Sequence, residues 1–269
     1  MKKTVKTILS VALAVVIAFS GIGSVEARAA KKNDFSKEIN IWLVSGLDGL
    51  PLFGITPYDF VSDNAPKKRV TKIVSKNLTR PEVEEYYYYK YDKAGRIKKS
   101  YYSGDGDNSY DIFYYDDEDN MIEEKCILNG TEQVIRTFTT DKKGRVIKSH
   151  SDNITGYITD ATYTYKGNRL KKMHMEHNMS GYSAIEHRYI YDSSNRFIGF
   201  KCVDMGTGES RWKDTFKYDE EGRICSAKTV KANSNSNHSY TFSYDKDGYL
   251  LKIQRDDEAE RCLHYETVK

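Results

Sequence analysis

The chain has 269 residues, of which 30% are charged and 13% aromatic, with 22 tyrosines against two tryptophans. Its formal charge of +3 resides at the N-terminus: a segment ending near Ala29 holds four of the 42 basic residues (Lys2, Lys3, Lys6, Arg28) and one of the 39 acidic ones (Glu26), so the remainder is neutral. A neutral chain lacks the long-range positive field that steers proteins onto polyanions, so no nucleic-acid partner is expected.

The first 29 residues read in three parts: lysines, an apolar run from Ile8 to Phe19, and small residues closing on Ala27-Arg28-Ala29. This is the pattern of a cleavable secretory signal, too short for a stable membrane span. No cysteine precedes Cys126, so no lipid anchor is expected near the cleavage site. No later run is apolar enough for a membrane helix. The expected product is secreted or loosely associated with the cell surface, with no integral membrane segment after signal cleavage.

Residues 30–69 are irregular. Ile41-Trp42-Leu43-Val44 and Leu50-Pro51-Leu52-Phe53 are apolar but punctuated by Gly and Pro. Terminal units of repeat arrays are usually atypical because they cover an open end, and this segment is read as an N-terminal cap.

From residue 70 to 269 one phrase recurs seven times at 24 to 27 residue spacing: an aromatic, any residue, usually Tyr, then Asp, a polar turn and an apolar residue. Its aromatic pairs are Tyr89 and Tyr91, Phe113 and Tyr115, Phe138 (with Thr140), Tyr163 and Tyr165, Tyr189 and Tyr191, Phe216 and Tyr218, and Phe242 and Tyr244. Such a period signals a repeat architecture. Alternation up to the second aromatic predicts a half-buried strand, and Asp-x-x-Gly predicts a type I turn followed by a left-handed residue. Gly95, Asp119, Gly144, Asn168, Asn195, Gly222 and Gly248 hold that position, all residue types that reach positive φ cheaply.

The same hairpin geometry pairs Asp92 with Arg96, Asp141 with Arg145, Asp192 with Arg196 and Asp219 with Arg223, as turn caps and cross-strand ion pairs. The next residue is apolar throughout: Ile97, Met121, Val146, Leu170, Phe197, Ile224 and Leu250. With the aromatic pairs it forms a nonpolar stripe across the strands. Lys99, Lys148, Lys172 and Lys252 are expected to flank the rings on that same face.

A second strand and a Gly/Asn/Ser-rich connection complete each unit. The prediction is an all-β protein: an antiparallel meander of about seven two-stranded repeats, about sixteen strands, forming an elongated, twisted, open sheet. The phrase from Tyr89 to Ile97 and from Phe216 to Ile224 resembles the tyrosine-aspartate (YD) repeats of the Rhs family of bacterial surface and secreted proteins, over about residues 70–268. The resemblance implies a β-meander, which in large relatives is a spiral shell around a toxin; seven repeats are expected to be too few to wrap a closed shell.

No chemistry-bearing constellation stands out. His174 and His177 lie three apart, on opposite faces of a strand, and are not expected to share a metal. Asp105-Gly106-Asp107-Asn108 and Asp245-Lys246-Asp247-Gly248 lack the ligand spacing of a calcium loop. Cys126, Cys202, Cys225 and Cys262 fall too far apart in an open sheet to bridge and are expected as free thiols. Neither cofactor, metal nor catalytic residue is expected.

The leading expectation is a non-enzymatic extracellular binding or scaffold module that contacts cell-wall glycan or another protein through a tyrosine-rich sheet face. That face comprises Tyr86, Tyr88, Tyr89, Tyr91, Phe113, Tyr115, Tyr163, Tyr165, Tyr189, Tyr191, Phe216, Tyr218, Phe242 and Tyr244, on turns built by Gly95, Gly144, Asn195, Gly222 and Gly248. The alternative is an accessory protein of an Rhs-like toxin system, as an immunity, adaptor or shell-fragment protein.

Overall fold

A computed structural model describes residues 56–103, 109–167, 169–181, 183–232, 237–256 and 258–268. The signal, most of the cap (30–55), Asn168 and the Asp105–Asn108 loop lie outside these residues. Among the described residues sixteen antiparallel strands follow one another: β1 (Lys68–Asn77), β2 (Glu84–Tyr91), β3 (Ile97–Ser103), β4 (Ser109–Tyr115), β5 (Met121–Leu128), β6 (Thr131–Thr140), β7 (Val146–Asn153) and β8 (Ile158–Lys166). The second half comprises β9 (Arg169–His177), β10 (Ile185–Tyr191), β11 (Phe197–Asp204), β12 (Ser210–Tyr218), β13 (Ile224–Lys231), β14 (His238–Tyr244), β15 (Leu250–Arg255) and β16 (Ala259–Thr267).

Each strand pairs with its sequence neighbours, and β1 pairs with β16 from Lys68↔Thr267 to Asn77↔Ala259, closing the sheet into a barrel. The expected elongated open sheet is thereby corrected. Two free edges would expose rows of unpaired backbone groups, and here the first and last strands satisfy each other.

A β-bulge recurs in every repeat hairpin. The residue after the apolar position is extra, so that Tyr91 faces Ile97 while Lys90 faces Lys99, and Tyr244 faces Leu250 while Ser243 faces Lys252. The same shift occurs at Tyr115/Met121, Thr140/Val146, Tyr165/Leu170, Tyr191/Phe197 and Tyr218/Ile224. Bulges bend a strand and increase its twist, and repeated ones curve a sheet toward closure. They also swap the side-chain alternation. Lys99, Lys148, Lys172 and Lys252 therefore stand on the opposite face from the rings, correcting their expected position beside them.

The apolar rows face inward. Val70, Ile73, Ile97, Phe197, Phe200 and Leu250 are fully or almost fully buried and join one core with the repeat aromatics. Residues 56–67 cover the turn end of the last repeats. Ser62 N–H donates to Asp247 C=O (2.9 Å), Leu250 N–H to Pro57 C=O (3.3 Å), and the Phe60 ring meets Tyr244 edge-on at 5.4 Å. Gly248 is required at this contact: at φ +90° a Cβ would lie 2.0 Å from Phe60 C=O.

Candidate functional site

The repeat turns form as their residues dictate. Gly95, Asp119, Gly144, Asn195, Gly222 and Gly248 all have positive φ. Asp219 N–H donates to Arg223 C=O (2.9 Å) and its carboxylate holds Arg223 Nε at 3.0 Å; Asp92–Arg96, Asp141–Arg145 and Asp192–Arg196 repeat the pair. Burial alone would raise these carboxyls, but the arginine backbone N–H and guanidinium hold all four below the usual Asp range.

The arginine also reaches the next repeat. Its guanidinium lies over the following Tyr at 4.5 to 5.5 Å, as with Arg96 over Tyr115, Arg145 over Tyr165 and Arg169 over Tyr191. The phenol of that Tyr crosses one hairpin to a backbone carbonyl. Tyr91 donates to Val70 (2.8 Å), Tyr115 to Ile97 (2.6 Å), Tyr165 to Val146 (2.9 Å), Tyr191 to Leu170 (2.9 Å), Tyr218 to Phe197 (2.5 Å), Tyr244 to Ile224 (3.0 Å) and Tyr265 to Leu250 (2.6 Å). Each acceptor, Val70 included, is the residue at a bulge, so the hydroxyl restores a bond the bulge removes. Burial pushes the phenols of Tyr165, Tyr191, Tyr218 and Tyr244 well above their ordinary value.

This ladder accounts for most of the ring face expected from the sequence. Tyr89, Tyr91, Phe113, Tyr115, Tyr163, Tyr165, Tyr189, Tyr191, Phe216, Tyr218, Phe242 and Tyr244 all belong to the core or pack against it. Tyr86 and Tyr88 point the other way, onto the outer wall.

There they meet rings the sequence reading did not single out. In register across β1 to β4 stand Lys72, Tyr88, Tyr101 and Tyr110. The Tyr88 and Tyr101 rings stack at 4.9 Å with 15° between planes, and Tyr86 stacks on Tyr88 at 6.3 Å. An ammonium attends each ring: Lys72 is 5.1 Å from Tyr86, Lys90 is 5.4 Å from Tyr101 and Lys99 is 3.3 Å from Tyr110. The Tyr86 hydroxyl donates to Glu84, which draws down that carboxyl and raises the phenol. All four rings are half-buried, so each presents part of its surface to solvent. Cross-strand neighbours were the signal that could have found Tyr101 and Tyr110, but their pairing depends on the bulge.

The inner wall carries a second unanticipated juxtaposition. Met173, His187, Cys202 and Trp212 lie in register on β9 to β12. Burial pushes the His187 imidazole down to about 4 and the Cys202 thiol up to about 11, so both are neutral at pH 7 and the thiol is no nucleophile. Cys126, Cys202, Cys225 and Cys262 are all free thiols. His174 contacts Glu176 at 3.2 Å on the outer wall, while His177 turns inward to Tyr157. Among the described residues no group of three or more His, Cys, Asp or Glu side chains could hold a metal ion.

No family model and no curated protein matches the sequence. Among solved structures, a porin-like protein from Bacteroides vulgatus superposes with a TM-score of 0.52 at 14% identity, covering 75% of this chain and all of that one. A porin-like protein from Bacteroides uniformis gives 0.49 at 13% identity, covering 73% and 96%. A TcdB2-TccC3 structure gives 0.33 at 18% identity and matches only 10% of its own length. The first likeness is one of fold, to a barrel. Together with the closure itself it overturns the YD or Rhs repeat sheet expected from the sequence. It also overturns the expectation of no integral membrane segment, which rested on apolar runs of helix length. Among the described residues no helix is long and apolar enough to cross a membrane, but strands cross as closed barrels. In barrels that do so the apolar side chains face outward. Here the apolar rows face inward and lysines such as Lys90, Lys99, Lys125 and Lys172 face outward.

Proposed function

We propose that this is a non-enzymatic binding module of the bacterial cell surface that holds cell-wall glycan on the tyrosine platform of β2 to β4. The observation that carries the reading is the outward stack of Tyr86, Tyr88 and Tyr101, continued by Tyr110, with a lysine beside each ring. Tyrosines on a wall need no stack to fold, and an amphipathic ring offers sugars both an apolar surface and a hydroxyl. The secretory pattern of the first 29 residues supports an address outside the cell.

The test is co-sedimentation of the full mature chain with protein-free, insoluble cell-wall glycan. Tyr86→Ser together with Tyr88→Ser is expected to weaken binding at least tenfold with little change in Tm, whereas Thr139→Ser, on β6 outside the platform, leaves both unchanged. Undiminished binding by the double variant, or a loss that only tracks unfolding, overturns the reading.

A further inference from the structure

The outer wall on the far side of the barrel carries a row of like charges. Lys172 pairs in register with Arg188, Arg188 with Lys201, and Lys201 with Lys213, across β9, β10, β11 and β12. Like charges directly opposite on neighbouring strands destabilise a sheet, and this row contains three such pairs in succession. Glu186 offsets part of it, meeting Lys172 at 3.3 Å and Arg188 at 2.5 Å. Among the described residues no ion pair reaches Lys201 or Lys213. Lys217 and Lys228, both exposed on β12 and β13, extend the positive surface.

We infer that this row is a docking site for a linear polyanion, a chain bearing repeated phosphate or carboxylate groups. Charge complementarity selects the class, because an anionic chain laid across the strands neutralises a repulsion that the protein leaves standing. Shape selects a chain over an acidic membrane. The row runs around the barrel for roughly 14 Å, three strand spacings, and the wall is convex in that direction. A flat bilayer touches such a wall along a line and misses the ends of the row; a flexible chain follows it. The neutral balance of the remainder of the chain does not oppose this, since the cations are concentrated by register rather than by composition.

The experiment uses the mature chain and inorganic polyphosphate, with neutral dextran and vesicles containing phosphatidylglycerol as comparison probes. Lys201→Gln with Lys213→Gln is expected to weaken polyphosphate binding at least tenfold at low salt and to make the dependence of log K on log salt shallower by about one to two, as counterion release requires. Its Tm is expected to stay level or rise, because a repulsion is removed. Lys148→Gln, whose cross-strand neighbours are Thr139 and Thr162, is expected to change affinity less than twofold. Tyr86→Ser with Tyr88→Ser is expected to leave polyphosphate binding intact, which separates this site from the tyrosine platform. Undiminished binding in the lysine double variant, an equal loss in Lys148→Gln, equal binding of dextran, or tighter binding of the vesicles lost in the same double variant would each overturn the inference.

Discussion

Tyr88 and Tyr89 are neighbours in one strand and have opposite roles. Tyr89 is 4% exposed, within the barrel core; Tyr88 lies on the outer wall, stacked on Tyr101. The same contrast separates the inner ladder, exemplified by Tyr244, from the outer platform. Inside, a ladder Tyr such as Tyr244 packs its ring and donates its hydroxyl to a bulge carbonyl; outside, a Tyr presents part of its ring to whatever meets the wall. A residue's abundance therefore says little about recognition until its face is known.

Four experiments sharpen the contrast. The largest effect is expected from Tyr244→Ala, which removes a ring packed on Phe60 and the bond to Ile224 and should cost about 3–5 kcal/mol in denaturant unfolding. Tyr88→Ala should cost under about 1.5 kcal/mol, mostly the stacking with Tyr101.

Next come two inward groups whose titrations oppose each other. Burial raises Asp214, against a hydrogen bond from Thr229, to about 6, and lowers His187 to about 4. A raised carboxyl contributes stability that is full below its unfolded value near 3.8 and lost as pH rises through 6. A lowered imidazole contributes stability that is present above 6.5 and lost as pH falls toward 4. In the native chain these largely offset. Asp214→Asn should leave a protein that loses up to about 3 kcal/mol between pH 6.5 and 4, and His187→Gln one that gains a similar amount as pH falls from 6 to 4. Denaturant midpoints at pH 4.5 and 7 read both slopes, and parallel slopes in the two variants would contradict the assignment. The lowered turn carboxylates Asp92, Asp141, Asp192 and Asp219 act in the other direction from Asp214, their stabilisation being lost as pH falls below about 4.

A smaller loss is expected from Tyr218→Phe, which keeps the ring and orphans the Phe197 carbonyl, at about 1–2 kcal/mol. The smallest belongs to the turn surface. Arg223→Gln should change unfolding free energy by about 1 kcal/mol or less, since its pair with Asp219 is solvent-accessible. A loss as large as that of Tyr218→Phe would show that the guanidinium over Tyr244 matters more than the ion pair.

Much of this was readable in the residues. The positions of strands followed from alternation, the left-handed turn residues from Gly, Asn and Asp, and the pairing of Asp219 with Arg223 from hairpin geometry. The nonpolar stripe does form the core. The candidate face was not readable as such, because Lys99 is two residues from Ile97 and simple alternation places both on one side. The bulge at Lys98 places them on opposite sides. Tyr101 and Tyr110 were missed for the same reason: their alignment with Tyr88 is a matter of register across three strands. Likewise the row from Lys172 to Lys213 joins residues from four strands that are unremarkable one at a time.

The sequence by itself determined the strands, the turns and their order, because these depend on a few adjacent residues and on backbone sterics. Only the tertiary structure decided that the sheet closes, which face becomes the interior and which side chains meet across strands. Closure is a sum of small twists over the sixteen described strands and their bulges, and β1 finds β16 only when that sum brings the two edges together.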